Sequence, residues 1–452
     1  MRVNADTSPP TSSRNGGRIA TIAAALPEGT LPVGAGLLVA GVASYAFFKV
    51  GQLALGQDDF KPIVALWFAT FALAPGFFMP IEQEVGRALA HRRALGQGGR
   101  PVIRKVVPLA TIFAGVVSTI VLIGSPWLTK DFFEHYWVVT IALLVAFAAY
   151  APTHLARGIC SGSGRFTDYG IVMGMDGASR IVGCIILWVI GVTVVGAYAM
   201  VVAAAPLLGV AIVWSRGALH TDDGPPASWS EITPNLGWLL GGSVMAAALV
   251  NAAPIGVDIL ADSSQAGMVT RFGNGVILAR VPLFLFQAIQ AALLPRLARL
   301  AAHGDLTEFR MAFRRLLIAV IGIGVIGVGG SALLGPKVLE VVYQGGLDRR
   351  TLTLLALGSA LYMLALGTSQ AVIALHGHKW VTVGWVIAMA TFVLVTWLSS
   401  NDLYLRVELA AVLSSAAALL VFAVALRARM ASGDSPDTES LIEALLDRPL
   451  EG

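Results

Sequence analysis

The sequence predicts an all-α polytopic membrane protein with about 12 transmembrane helices in two six-helix lobes. Three observations carry this. Hydrophobic residues make up 56% of the 452 residues, roughly 250, enough for about 12 helices of ~20 apolar residues each. Charged residues are only 13%, against about 25% in an ordinary soluble domain, and mean hydropathy is +0.76. Lys and Arg collect in alternate short segments between apolar runs, the topology signal of a membrane protein. So few charges cannot solvate a water-exposed surface, which argues against a soluble enzyme. The net charge of +4 then reports topology, and no nucleic-acid partner is expected.

Residues 1–30 are rich in Ser, Thr, Pro and Gly, carry Arg2, Arg14 and Arg18, and read as a disordered cytoplasmic tail without a cleavable signal. Apolar runs follow at 31–55, 62–82, 105–124, 136–155, 169–191 and 194–214, an N-lobe spanning 31–215. An inter-lobe cytoplasmic linker covers 216–234. Runs at 235–256, 271–294, 314–334, 351–374, 380–398 and 405–426 make a C-lobe spanning 235–427. Residues 428–452 are polar and acidic, and the stretch Glu439–Asp447 reads as part of a solvated C-tail. Glycine, 49 residues in all, punctuates most runs, as expected where helices approach closely in lipid. Cys160 and Cys184 form no metal or redox spacing and read as small packing residues.

With both termini inside, the inner segments carry 20 Lys and Arg and the outer loops 6, among them Lys61 and Lys130. Trp127, Tyr136 and Trp137 bracket an outer loop, where amphipathic rings favour the headgroup region. Two landmarks repeat along the chain. Arg87, Arg92–Arg93 and Arg104–Lys105 are echoed by Arg296, Arg299 and Arg314–Arg315 at an offset of 209–210. Arg165-Phe166-Thr167-Asp168-Tyr169-Gly170 is echoed by Lys379-Trp380-Val381-Thr382-Val383-Gly384 at an offset of 214. Each pair falls at the same place in a six-helix count. The two halves therefore read as parallel repeats related by an axis along the membrane normal.

No phosphate-binding GxxxxGK[ST] loop and no HExxH is present, so neither nucleotide hydrolysis nor metal chemistry is expected, and no cofactor is implied. His376 and His378 share an inner loop, where such a pair seldom holds a metal. The informative residues are ionisable groups at membrane depth, which demand a partner or a watery cavity. Arg180 falls at the middle of helix 5, and Asp176, four residues earlier, can neutralise it as structural glue. Arg280 falls near the middle of helix 8, with Val276, Ile277, Leu283 and Phe284 at its i±3 and i±4 positions, so its partner must come from elsewhere. Lys49 and Arg271 either snorkel to the outer interface or bind. Asp258 and Asp262 belong near the outer mouth, while Glu82 and Glu84 end helix 2 and read as exposed at the inner interface. Asn251, Asn274, Gln287, Gln290 and Gln370 are neutral polar residues at depth. The candidate substrate-binding set is Arg280, Arg180, Asp176, Arg271, Lys49 and Asn251. Arginine holds phosphate with two parallel hydrogen bonds, so a chamber with deep arginines and few acids favours an anionic cargo such as a lipid-linked diphosphate.

Ala156-Arg157-Gly158, Gly164-Arg165-Phe166 and Tyr169-Gly170 resemble the inner-loop pattern between helices 4 and 5 of polysaccharide flippases. Asp258, Ala266-Gly267, Pro282 and Leu294-Pro295-Arg296-Leu297 are similar to the same family's helix 7–8 region, and Leu334-Gly335-Pro336-Lys337 with Val342-Tyr343 to its next outer loop. Across roughly 31–426 the chain resembles the multidrug/oligosaccharidyl-lipid/polysaccharide exporter superfamily, in its O-antigen or capsule repeat-unit flippase branch. The lipid II branch carries two further C-terminal helices, so the resemblance points away from it. The resemblance implies two six-helix lobes around a central cavity, working by alternating access in the inner membrane. It also implies a polyprenyl-diphosphate-linked oligosaccharide as substrate, no catalysis, and a glycan polymerase or glycosyltransferases as partners besides membrane lipids. A multidrug or small-molecule antiporter of the same fold, and a non-transporting membrane scaffold subunit, are the alternative readings.

Overall fold

The computed structural model describes residues 29–232, 236–283, 305–343, 346–375 and 377–432, together with positions 286, 297, 300 and 301. Six helices build the first half: α1 Thr30–Leu55, α2 Lys61–Ala94, α3 Arg100–Trp127, α4 Trp137–Gly162, α5 Phe166–Val189 and α6 Val195–Ser215. The second half holds α7 Leu236–Leu260, α8 Ala266–Ala279, α9 Leu306–Tyr343, α10 Arg349–Ala374, α11 His378–Leu398 and α12 Leu403–Ser432. All regular structure among the described residues is helical, as bilayer burial of backbone polar groups requires of an open chain. Eleven of these helices are long and apolar enough to cross a membrane.

The two halves repeat one packing scheme. In the first, α1 packs on α5, α2 on α4, α3 on α4, α4 on α6 and α5 on α6. In the second, α7 packs on α11, α8 on α10, α9 on α10, α10 on α12 and α11 on α12. Each contact recurs six helices later. The landmarks read from the sequence also fall in register, since Phe166 opens α5 and His378 opens α11. The long α2–α7 contact joins the lobes.

Glycine sets the helix spacing inside the N-lobe. A Cβ at Gly158 of α4 would stand 2.8 Å from the Glu82 carbonyl oxygen, and one at Gly162 2.7 Å from that of Gly86. Only glycine lets these two backbones approach so closely.

Several helices outrun their apolar windows. Residues 83–94, expected as a loop, continue α2 for three turns, through Glu84, Arg87 and Arg92. The helix persists because its polar end is partnered: Arg92 is buried and bonded to the segment joining the lobes. Helix α8 differs the other way. The expected run 271–294 begins earlier, at Ala266, and breaks at Arg280. There the Arg280 N–H bonds the Ile277 carbonyl at 3.1 Å, and the chain turns helical again over 281–283. Pro282 explains the break, because it lacks an N–H and its ring crowds the carbonyl four residues back. Gln287, Gln290, Leu294-Pro295-Arg296, Arg299 and His376 lie outside the described residues, as do nearly all of the 1–30 tail and residues 433–452.

Call the end where α1 begins and α12 finishes the near face, and the opposite end the far face. Exposed tryptophans band both ends: Trp214, Trp229, Trp238 and Trp380 at the near face, Trp127, Trp137 and Trp397 at the far face. This spacing matches aromatic belts at two headgroup regions. The chain is a multi-pass helical membrane protein.

The segment between the lobes is not a free tether. Arg165 donates to the Ala218 and His220 carbonyls, and Arg100 pairs with Asp223 at 2.9 Å. Arg92 grips both Glu231 oxygens at 2.6 and 3.0 Å and also the Pro225 carbonyl. Residues 216–232 thus ride on the near face of the N-lobe.

Candidate functional site

Arg280 stands at the α8 break, and its guanidinium is held by neutral groups. Nη1 donates to Asn251 Oδ1 at 3.1 Å and Nη2 to the Val250 carbonyl, both on α7. The Asn251 amide is oriented for this by its own donation to the Ala247 carbonyl at 2.8 Å. The Phe68 ring of α2 lies under the guanidinium, 5.2 Å from its centroid, so the N-lobe also touches this arginine. No carboxylate pairs with it among the described residues. Arg280 forms part of the wall of a C-lobe cavity of about 40 Å³, with Tyr362, Ser359, Ser414 and Ser415 on other walls. That volume accommodates a few waters. Tyr362 donates to the Ala246 carbonyl at 3.1 Å and Ser414 to the Ala411 carbonyl at 3.2 Å, so the cavity is small and partly polar, with Arg280 as its charged group.

Arg180 has a different setting. Its Nη2 donates to Asp176 Oδ1, one turn earlier on α5, and to the Tyr150 hydroxyl at 3.3 Å. Tyr150 donates to the other Asp176 oxygen at 3.2 Å. The guanidinium lies over Trp67 at 4.8 Å and Phe71 at 5.5 Å, and the residue is 2% exposed. This is a closed ion pair inside the N-lobe, neutralised as the i, i+4 spacing predicted.

The structure therefore brings Arg280 and Asn251 together, and Arg180 and Asp176 together, as two separate groups. The arginines do not face each other across one open space. Arg180 lies on Trp67 and Arg280 on Phe68, and the Phe48 ring packs against both of those rings. Arg271 is an exposed far-face residue whose Nε donates to Gln57 Oε1 at 3.2 Å, which ties it to the lobe boundary. Lys49 is half-buried on α1 and has no ion pair among the described residues.

The lobes meet at the far face through a polar seam. Gln52 of α1 and Asn274 of α8 exchange two hydrogen bonds, 2.6 and 3.0 Å. Thr270 donates to the Gln57 carbonyl at 2.7 Å, and the Gln57 amide donates to the Tyr343 carbonyl at 3.1 Å. Tyr45 donates to the Ile277 carbonyl at 2.8 Å. Lys61, expected in an outer loop, is instead the first residue of α2 and buried, 2.8 Å from Glu134 and 3.5 Å from Asp258 of α7. Glu134 sits with His135 in left-handed backbone, φ 49° and 66°, an uncommon conformation for side-chain-bearing residues.

A second buried polar cluster was not legible in the sequence. Glu82, read as exposed, is buried at the α2–α4–α5 junction. His154 Nδ1 is 2.8 Å from one of its oxygens, and Tyr169 donates to the other at 2.9 Å. Arg157 lies 3.1 Å from Glu82 and donates to Tyr169 at 2.9 Å. The only sequence signal was that Arg157 and Tyr169 both belong to the flippase-like inner-loop motifs.

The chain is 26% identical over 417 residues to an uncharacterized protein of Mycobacterium tuberculosis, covering 84% of this chain and 87% of that protein. A second uncharacterized protein of that organism is 26% identical over 393 residues, covering 79% and 82%. No protein-family model matches. Among solved structures, an outward-facing multidrug resistance MATE family transporter of the MOP superfamily aligns with TM-score 0.67 at 14% identity, over 90% of this chain and 96% of that one. An inward-facing structure of such a transporter aligns at 0.62 and 17%, with the same coverage. A MOP superfamily transporter from Pyrococcus furiosus, described as having a binding pocket of reverse polarity, aligns at 0.65 and 14%, over 90% and 95%. The polypeptide has the fold of the MATE transporters of the MOP superfamily.

Proposed function

We propose that this protein is an alternating-access transporter of the plasma (inner) membrane, with both termini cytoplasmic, that flips a polyprenyl-diphosphate-linked oligosaccharide to the outer leaflet for cell-surface polysaccharide biosynthesis. The observation that carries the reading is Arg280: a deep guanidinium whose hydrogen-bond acceptors among the described residues, Asn251 and Val250, are neutral. A diphosphate offers that planar fork two charged acceptors in place of two neutral ones, and charge-assisted bonds are roughly twice as strong. The far-face seam joins the lobes on the side that the charge bias assigns to the outside, and cargo would enter from the cytoplasmic side when the near face parts. Rocking of the lobes would part that seam and release the headgroup outside. A glycan polymerase or glycosyltransferases are the expected functional partners.

The same fold carries multidrug transporters, and a cationic drug is the main rival cargo. Arg280 disfavours it by charge, and the N-lobe acids Asp176 and Glu82 are already paired with Arg180 and Arg157. Proteoliposomes containing the purified protein and a labelled polyprenyl-diphosphate sugar test the proposal. Leaflet exchange should depend on the protein, vanish in Arg280→Ala at unchanged abundance, and stay poor in Arg280→Lys, which lacks the fork. Normal exchange by a well-folded Arg280→Ala protein would overturn the arginine assignment. Protein-dependent transport of cationic dyes without glycan-lipid exchange would favour the antiporter. No transport of either would leave the scaffold reading.

A further inference from the structure

Helix α9 presents an unpartnered face at the near end of the C-lobe. Phe309, Ala312, Phe313 and Leu316 are buried on one side of its first turns. Arg310, Met311, Arg314 and Arg315 are exposed on the other. At about 100° per residue those four fall within roughly 140° of the helix circumference, one continuous surface. Arg310 donates to the Met430 carbonyl of α12 at 3.3 Å, and Arg427, about one turn before Met430, is exposed as well. None of these four arginines has an ion pair among the described residues. The acids of the same stretch are Asp305 and Glu308, and Asp305 caps the helix by accepting from the Glu308 N–H at 2.9 Å.

The contact with Met430 also fixes where the chain goes next. Helix α12 ends at Ser432, two residues on, so residues 433–452 depart beside Arg310. Their sequence holds six acids, Asp434, Asp437, Glu439, Glu443, Asp447 and Glu451, against Arg448 alone. That net −5 stands against +4 for the whole chain. Glu439, Glu443 and Asp447 recur at the i, i+4, i+8 spacing of one helical row, and Leu441, Ile442, Leu445 and Leu446 make the adjoining row. Each step of the acidic row would rise about 6 Å along a helix, the same as the step from Arg310 to Arg314. The segment from Ser432 to Glu439 can span up to about 25 Å, which brings the acids within reach of α9.

From this complementarity we infer that the acidic tail docks on its own chain. Residues 439–447 lie as a helix along Arg310, Arg314 and Arg315, with the leucine row against Met311, which is 50% exposed. Exposed ion pairs contribute little one at a time. A tethered segment, however, meets its site at an effective concentration in the millimolar range, so weak pairs suffice. An anionic lipid headgroup is the competing occupant by charge. The tail has two advantages over it: it is attached beside the arginines, and it brings apolar side chains for Met311. Docked there, it covers the basic end of the C-lobe against other anions at the near face. The inference rests on the chain's own charges and not on what is transported.

Double electron–electron resonance on the full chain, one copy per phosphatidylcholine nanodisc, tests it without substrate. Spin labels go on Ala444→Cys in the tail and on Thr307→Cys, exposed on α9 about one turn before Arg310, with buried Cys160 and Cys184 changed to Ala. A narrow short-distance population is expected at low salt. At about 1 M salt, where the Debye length falls to about 3 Å, it should give way to a broad distribution. Arg314→Glu and Glu443→Arg should each reduce the short population several-fold. The two together should restore it, a result that misfolding of either variant does not produce. Phosphatidylglycerol as half of the lipid should leave the short population in place. A broad wild-type distribution, a short population indifferent to salt or to both single changes, or a double variant that stays broad would each overturn the assignment. Loss of the short population in phosphatidylglycerol alone would give the arginines to lipid headgroups and overturn it as well.

Discussion

Gln52 and Asn274 exchange two amide hydrogen bonds across the lobe boundary, 2.6 and 3.0 Å, with Asn274 fully buried. A paired carboxamide has both its donor and its acceptor satisfied by one partner, so this contact closes two requirements at once. Gln52→Leu leaves the buried Asn274 amide with neither, at a cost of about 1–3 kcal/mol to the latched arrangement. A cysteine replacing Thr270, buried in the seam, should then react faster with an impermeant maleimide than it does with Gln52 intact. An unchanged rate would show that the seam does not hold the far face shut.

Glu82 compensates the largely buried Arg157, accepts from Tyr169 and faces His154. Its removal strands a guanidinium whose side chain is only 14% exposed. Glu82→Ala should lower stability by about 3–5 kcal/mol, the range for breaking a buried pair from one side. Glu84, two residues on, pairs with Arg87, whose side chain is 47% exposed. Glu84, read as exposed from the sequence, is itself buried, but its removal leaves an arginine that reaches water, so Glu84→Ala should cost less than Glu82→Ala. Thermal unfolding of the two variants in detergent compares them directly.

Gly158 lies where α4 meets the Glu82 carbonyl. Gly158→Val forces those backbones apart and should cost about 1–3 kcal/mol by overpacking. It should also mimic part of the Glu82→Ala defect, because the Glu82 cluster spans the same contact. Additive losses in the double variant would refute that link.

Arg92 clasps Glu231 with a bidentate fork and also bonds the Pro225 and Gly98 carbonyls. Lysine keeps the charge but loses the fork. Arg92→Lys should therefore loosen residues 216–232 and raise their cleavage in limited proteolysis by several-fold, with the lobes intact. Equal cleavage would show that the other contacts suffice.

Orientation is testable with exposed positions on opposite faces. In intact cells an impermeant maleimide should label Asp131→Cys and spare Gln97→Cys and Thr307→Cys until the membrane is permeabilised. Labelling in the reverse pattern would invert the topology and, with it, the proposed direction of transport.

The number of helices, their order and the six-helix repeat were legible in the sequence because each rests on transfer free energy summed along the chain, a one-dimensional property. The same is true of the Arg180–Asp176 pair, which lies within one turn of α5. It also holds for the absence of a local acid beside Arg280, whose acceptors proved to be Asn251 and Val250 on another helix. Helix ends were less legible. Hydropathy marks where a segment leaves the apolar layer and not where its hydrogen-bonded backbone stops, so α2 runs on to Ala94. Only the tertiary structure decided which buried charges meet. Glu82 with His154 and Arg157, and Lys61 with Glu134 and Asp258, join residues 72 to 197 positions apart, and two of these charges had been assigned to exposed positions. Residue-by-residue hydropathy treats each charge as if it stood alone. Its true burden is set by the rotation and packing of the helix that carries it, which decide whether it finds water, a counter-ion or neither.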